Sequence, residues 1–351
     1  MTIILGGYYY NNNFGDVLLA KVFCVELKCK FPDAVILLPF CPPVVAKQIG
    51  GRSANLIGLL TGRPNVLVYA GGGYLGDNGH HPLSKRGLRW ALDVVKYIIL
   101  PWCIVYSRSG IIEMIGVGAG TIRNPIIRFW RNFAARTANK IIVRDSVSLV
   151  ELSRYSIPKA ELGADPAVLW KTNRRPALGD PPLVGIHLYS EPSEDSCILP
   201  AASVVCLALK NNLPNCEIVL LADNPKSRFR QDALSAIFKA AGFTVRAENY
   251  ENVESFVDLL ASLSLVITSK LHVGVVALAH GAKVVPLFGH PKIRSFYAEI
   301  SHLPAAVAIC DTEQISNAVI NCLASARSGI PPEYVTAANV TLATAGASVQ
   351  P

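Results

Sequence analysis

The sequence predicts an α/β protein built from two successive Rossmann-like domains facing a cleft, and three observations carry that prediction. Short apolar runs alternate with longer helical patterns along most of the chain, the signature of a largely parallel sheet covered by helices. A stretch rich in Pro, Arg and Gly, KTNRRPALGDPP at 171–182, interrupts the series near its middle and reads as an interdomain linker. The length of 351 residues, 51% of them hydrophobic and 17% charged, is too great for one ordinary core. It suits two domains of roughly 150 residues each.

Taken in order, strands are expected at 2–5, 34–38, 66–69, 111–117 and 140–143, with helices at 16–31, 86–107 and 124–139. The last helix opens on Asn124 as N-cap and Pro125 as its first residue. The second series places strands at 183–189, 217–222, 244–246, 265–268, 283–288 and 306–309, with a closing helix at 312–325. The domains are therefore expected at 1–175 and 183–330. The tail 331–351 is small and weakly patterned, and is expected to be frayed.

Composition narrows the class. Mean hydropathy is +0.35, which either a membrane-surface habit or deep burial of parallel sheets explains. The longest apolar stretch, 94–106, contains Lys96 and Pro101 and falls short of the roughly 20 residues of a membrane span. The opening MTIILGG lacks a basic region and reads as a first strand, not a secretory signal. Nine cysteines form no CxxC pair and are expected to be buried, reduced thiols, which points to a cytoplasmic protein. Residues 1–175 carry 22 Lys+Arg against 10 Asp+Glu, whereas 176–351 carry 11 against 15. Between 85 and 140 ten basic residues face only Asp93 and Glu113, a field that attracts anionic partners. Arg128, Arg131 and Arg136 interleave with Ile126, Ile127, Phe129, Trp130 and Phe133. That segment is either an ordinary packed helix or one lying on an anionic membrane, at the inner face of the plasma membrane. No nucleic-acid module accompanies the basic cluster.

Five segments can carry chemistry. Gly6–Asp16, GGYYYNNNFGD, follows the first strand; its asparagines and tyrosines suit sugar or phosphate contact, and Asp16 can cap the next helix. Ala70–Asp77, AGGGYLGD, follows another strand, and its glycines expose backbone amides as an anion nest, without the GK[ST] of a P-loop. Gly116–Gly120, GVGAG, is weak alone as a dinucleotide signal. Arg144, at the end of a strand, is either a partner for Asp145 or a clamp for a carboxylate or phosphate. The fifth, TSKLHVG at 268–274 with FGHPKIR at 288–294, is the most informative. It places Lys270 and His272 at a strand-to-helix turn within a stretch, 259–298, that holds no acidic residue. His80 and His81 read as an exposed turn. No HExxH, GxSxG or DxD motif occurs, so metal-dependent and serine hydrolysis have no support.

Together these segments resemble the polysaccharide pyruvyltransferase family. The matching residues are Gly7-Tyr8-Tyr9 with Asn13 to Asp16, Gly71–Gly73, Gly116–Gly120, Arg144-Asp145 with Ser148, Asp165-Pro166-Ala167, Ser269-Lys270-Leu271-His272 and Pro291-Lys292. Lys270 stands where the family usually has Arg, and His290 where an acidic residue is common. The resemblance implies a glycosyltransferase-B-like pair of domains and no metal or other cofactor. Phosphoenolpyruvate would be the donor co-substrate. The product would be a pyruvate ketal on a sugar of a surface polysaccharide, the acceptor being that glycan or a lipid-diphosphate-linked oligosaccharide. The expected catalytic residues are His272 as general acid/base, with Arg144 and Lys292 holding the donor's anionic groups. Lys270, Ser269, Arg294, Gly72 and Gly73 are expected on the donor; Tyr9, Asn13, Asp16, Tyr74 and Asp77 on the acceptor. The rival readings are a nucleotide-sugar-dependent glycosyltransferase and a non-catalytic binder of anionic glycans or lipids.

Overall fold

In the computed structural model, strands form where β-branched and aliphatic residues run together, and every paired strand is parallel. The structure describes residues 1–76, 85–157, 159–173, 181–189, 196–288, 291–326 and 329–349. The chain divides into two compact units: Met1–Leu169 with Glu333–Pro351, and Trp170–Pro332.

The first unit holds a seven-stranded sheet of β1 (Thr2–Gly6), β2 (Val35–Pro39), β3 (Arg52–Ala54), β4 (Val66–Leu75), β5 (Ile111–Ala119), β6 (Lys140–Val143) and β7 (Ala160–Leu162). Its order is β3-β2-β1-β4-β5-β6-β7, so the chain reverses its direction of travel between β1 and β4. The second holds β8 (Leu183–His187), β9 (Glu217–Ala222), β10 (Thr244–Asn249), β11 (Leu265–Thr268), β12 (Lys283–Phe288) and β13 (Val307–Ala308), ordered β10-β9-β8-β11-β12-β13, with its reversal between β8 and β11. Two units of parallel strands flanked by helices are the two Rossmann-like domains the alternation predicts. In such sheets ligands gather at the carboxyl ends of the strands beside the reversal.

Four expectations need correction. The short edge strands β3 and β7 carry too few apolar residues to register as a period. The glycines 71–73 do not form a loop after β4 but lie inside it: β4 runs on to Leu75 with a register shift between Gly72 and Leu75. Gly71 and Gly72 take φ of +54° and +88°, which only glycine adopts without strain, and Gly71 backs onto the side chain of Leu19.

Over its described residues, to 349, the tail is not frayed. Pro332–Ala343 is a helix that packs on the first unit. Thr341 is buried and accepts the Ala164 amide at 3.0 Å, and Tyr334 Oη accepts that of Asp165 at 3.0 Å. Farther on, the amides of Gly346 and Ser348 donate to the buried carboxylate of Glu113 at 2.6 and 2.8 Å. A helix of Ala, Thr and Val shows little periodicity, so its order comes from these tertiary bonds.

Finally, Cys197 and Cys310 form a disulfide across 113 residues, their Cα atoms 5.0 Å apart. Only the fold brings such distant thiols together, and the argument from cysteines to a reducing compartment loses that support. The remaining cysteines are mostly buried, and burial pushes Cys41 to about 12 and Cys216 to about 11, so those two stay protonated and unreactive.

Candidate functional site

A polar cluster lies beside the reversal of the second sheet, at the carboxyl ends of β8, β9 and β11. The sheet core beneath it is aliphatic: Ile186, Leu220 and Ile267 are buried in one cluster. Polar residues begin where the strands end. His187 closes β8, Asp223 follows β9, and Ser269 and Lys270 follow β11.

These groups are tied together. Asp223 is buried, and its Oδ1 accepts from His187 Nε2 at 3.0 Å, Asn224 Nδ2 at 2.7 Å and Ser227 Oγ at 3.1 Å. Its Oδ2 lies 3.7 Å from Lys270 Nζ. Burial alone would raise the Asp223 carboxyl. Lys270 and His187 outweigh it and hold the group below the usual carboxylate range, so it is an anion at neutral pH. Lys270 also rests over the Tyr189 ring, 4.3 Å from its centroid. Ser269 secures the neighbouring loop, its hydroxyl accepting the Tyr189 amide at 2.7 Å and donating to the Tyr189 carbonyl at 2.5 Å.

Lys270 occupies the position before the helix Leu271–Ala279 without a side-chain cap, and His272 sits in its first turn, half-buried. The helix Pro291–Glu299 follows the adjacent strand β12 and carries Lys292 and Arg294, both exposed. Parallel pairing of β11 with β12 therefore puts Ser269, Lys270, His272, Lys292 and Arg294 at one edge of one sheet. Gly274 permits the packing behind them: a Cβ there would stand 2.0 Å from Tyr297 Oη. The other two described histidines of this unit outside the cluster are structural. His280 Nδ1 bonds the Val276 carbonyl and His302 Nε2 that of Val284, and burial lowers both below the ordinary imidazole value.

The residues expected in the first unit fare differently. Arg144 is buried beneath the ends of β5 and β6, where its Nη1 meets Asp165 Oδ2 at 3.1 Å and its Nε meets Asp145 Oδ2 at 3.4 Å. Burial would lower this guanidinium, but Asp165 and Asp145 outweigh it and hold it above its ordinary value. Gly118 lies flat against it, and a Cβ there would come within 3.2 Å of Nε. Arg144, expected to clamp the donor, forms in this structure a buried tie between β6 and the Asp165–Ala167 turn. It also explains part of the GVGAG motif, whose second glycine makes room for the guanidinium.

Tyr9 is also a correction. It is fully buried and its hydroxyl donates to the Leu5 carbonyl at 2.7 Å, so it packs the core and offers nothing to an acceptor. Tyr10 stacks on Tyr97 at 3.9 Å, and burial, helped by the neighbouring Asp93, raises its phenol. Asn13, not Asp16, caps the helix Phe14–Lys30 by accepting the Gly15 amide at 3.1 Å; Asp16 stands in the first turn. Gly73 is exposed, and among the described residues nothing lies within 4 Å of where a Cβ would be. Asp77, the side chain of Tyr74, His80, His81 and His290 lie outside the described residues.

Sequence reasoning missed His187 and Asp223. Each is a polar residue that ends or directly follows an apolar strand, and that break in pattern was the available signal. Among the described residues, no group of three or more His, Cys, Asp or Glu is arranged to hold a metal ion.

The two sheets with their flanking helices define an α/β fold of the glycosyltransferase-B type. Solved structures of low identity share this fold over nearly the whole chain. UDP-GlcNAc 2-epimerase from Methanocaldococcus jannaschii, in complex with UDP-GlcNAc and UDP, is 11% identical with a TM-score of 0.60, covering 97% of each chain. UDP-GlcNAc 2-epimerase from Neisseria meningitidis, bound to UDP-GlcNAc, is 12% identical with a TM-score of 0.59, covering 97% of this chain and 94% of its own. Anabaena HepE in complex with UDP-glucose is 12% identical with a TM-score of 0.56, covering 99% of each. A search of curated proteins gives no match. The family model for polysaccharide pyruvyl transferase matches residues 13–288, and the chain belongs to that family, a family of transferases.

Proposed function

We propose that this protein transfers the pyruvyl group of phosphoenolpyruvate to a sugar of a surface polysaccharide or its lipid-linked precursor, forming a ketal and releasing phosphate. The observation that carries the reading is the edge of the second sheet, where Ser269, Lys270 and His272 follow β11 and Lys292 and Arg294 follow β12. Three cations and an imidazole lie there within a segment, 259–298, that itself has no carboxylate; Asp223, from the end of β9, pairs with Lys270, and Lys292 and Arg294 are assigned to the donor. A three-carbon donor with a carboxylate and a phosphate is the small anion this chemistry suits.

The reaction needs a proton at the methylene carbon of the donor. C2 then takes on oxocarbenium character, one sugar hydroxyl adds to it, phosphate departs, and a second hydroxyl closes the ring. One hydroxyl proton replaces the one given to carbon and the other leaves with phosphate. His272, in the first turn of the helix that follows β11, is assigned as general acid/base. Lys292 and Arg294 bind the donor's anionic groups. Lys270, steadied by Asp223 and Tyr189, adds positive potential at the helix start.

Phosphate release and the mass of a pyruvylated product, measured with the full chain, phosphoenolpyruvate and candidate glycan acceptors, test this. His272→Ala should reduce turnover on the order of 10²-fold with unchanged melting. Lys292→Ala should chiefly raise KM for phosphoenolpyruvate. Near-normal ketal formation by His272→Ala removes it from the mechanism. Thermal stabilisation by UDP-sugars but not by phosphoenolpyruvate would favour the nucleotide-sugar transferase instead.

A further inference from the structure

We propose that the helical layer formed by 85–106 and 125–137 in the first unit is a docking surface for an anionic lipid bilayer. The two segments pack side by side on one face of the seven-stranded sheet: Ile98, Trp102, Ile127 and Ala134 share a core cluster with Leu67 and Met114 of β4 and β5. Trp102 joins them, its ring 5.3 Å from that of Phe133 and its indole N–H donating to Thr137 at 3.2 Å. With these side chains turned inward, the opposite faces of both helices point to solvent.

Those outer faces are apolar. Leu88, Leu92 and Val95 form a stripe at helical spacing, with Leu92 70% exposed. On the neighbouring helix Ile126 is 67% exposed and Phe129 63%. Large side chains so exposed on adjacent helices mark an interaction surface.

Charge selects the occupant. Arg89, Lys96 and Arg123 are exposed around these stripes, and Arg128 is half-exposed. Of the two acids between 85 and 140, Glu113 is fully buried beneath the C-terminal amides, which leaves Asp93 as the one partly exposed carboxylate of this segment against the exposed cations. A second copy of the chain would set like charges against each other across this face. An anionic bilayer accepts both components, with apolar side chains entering the acyl boundary and cations remaining among the headgroups. Among the described residues no helix is long and apolar enough to cross a membrane, so the contact is peripheral.

The surface differs from the helix read in the sequence. Arg131 points inward, where its Nη1 donates to the carbonyls of Leu75 and Gly120 at 3.1 and 3.0 Å, and the contact belongs to two helices rather than one.

The inference is independent of the pyruvyl-transfer reading, because binding is measured without substrate. The full chain is floated with vesicles of phosphatidylcholine alone and with about one-third phosphatidylglycerol. Binding is expected to the second only, and to weaken several-fold as salt rises from about 0.1 to 0.5 M. Leu92→Glu with Phe129→Glu, both solvent-facing, should reduce it at least tenfold with unchanged melting. Arg89→Glu, a milder surface change, should reduce it several-fold. Absence of wild-type binding, or binding untouched by these substitutions, overturns the proposal. So does a salt-stable dimer, seen by light scattering, that the double substitution dissolves without any vesicle binding.

Discussion

Arg144→Met separates a structural tie from a donor clamp. Methionine keeps most of the aliphatic length and removes the guanidinium. Asp165 then loses its 3.1 Å partner and Asp145 its 3.4 Å partner. Ala167 and Ser148 still donate backbone amides to them, but both carboxylates lose the guanidinium they share. Removing one side of a buried ion pair costs about 3–5 kcal/mol, because the surviving charge stays desolvated. For a unit of this size that corresponds to a fall in Tm of about 6–20 °C. The assay is thermal and denaturant unfolding, followed so that the two units are resolved, because a two-domain chain need not melt in one step. Adding Asp165→Asn removes one uncompensated charge while leaving an oxygen for the Ala167 amide, and should restore part of the loss. If Arg144→Met unfolds like the wild type while KM for phosphoenolpyruvate rises, the guanidinium serves the donor and the structural assignment is wrong.

Two further outcomes follow from the second unit. Asp223→Asn should loosen Lys270, raising KM for phosphoenolpyruvate several-fold with less effect on kcat, and should lower stability by about 1.5–3 kcal/mol through lost charge-assisted bonds. Because the folded carboxyl is depressed, the stability it confers is complete above the unfolded value of about 3.9 and fades as pH falls toward the folded one. The gap between variant and wild-type melting should therefore hold from pH 7 to about 5 and shrink below about 4; a gap that widens with acid contradicts the assignment. Gly274→Ala drives a methyl into Tyr297 Oη and should destabilise this unit by about 1–3 kcal/mol. That buried hydroxyl has no hydrogen-bond partner among the described residues, so Tyr297→Phe alone should be neutral or stabilising and should relieve the Gly274→Ala defect. Equal loss in the single and double variants would show that the clash lies elsewhere.

The two-domain α/β fold was legible in the chain itself, because alternating apolar runs and amphipathic stretches are local patterns that parallel sheets require. The turn Ser269-Lys270-Leu271-His272 was legible for the same reason: a strand ends and a helix begins within a few residues. The fate of Arg144 was not, since Asp165, 21 residues on, decides whether the guanidinium is neutralised or offered to a ligand. Nor was the pairing of His187 with Asp223, which lie on neighbouring strands 36 residues apart. The C-terminal helix drew its order from Ala164, Asp165 and Glu113, far away in sequence. Periodicity reports what a segment buries, whereas charge neutralisation, disulfide pairing and the inward turn of Arg131 depend on which distant groups share one small volume. That is settled only when the sheets close and water leaves.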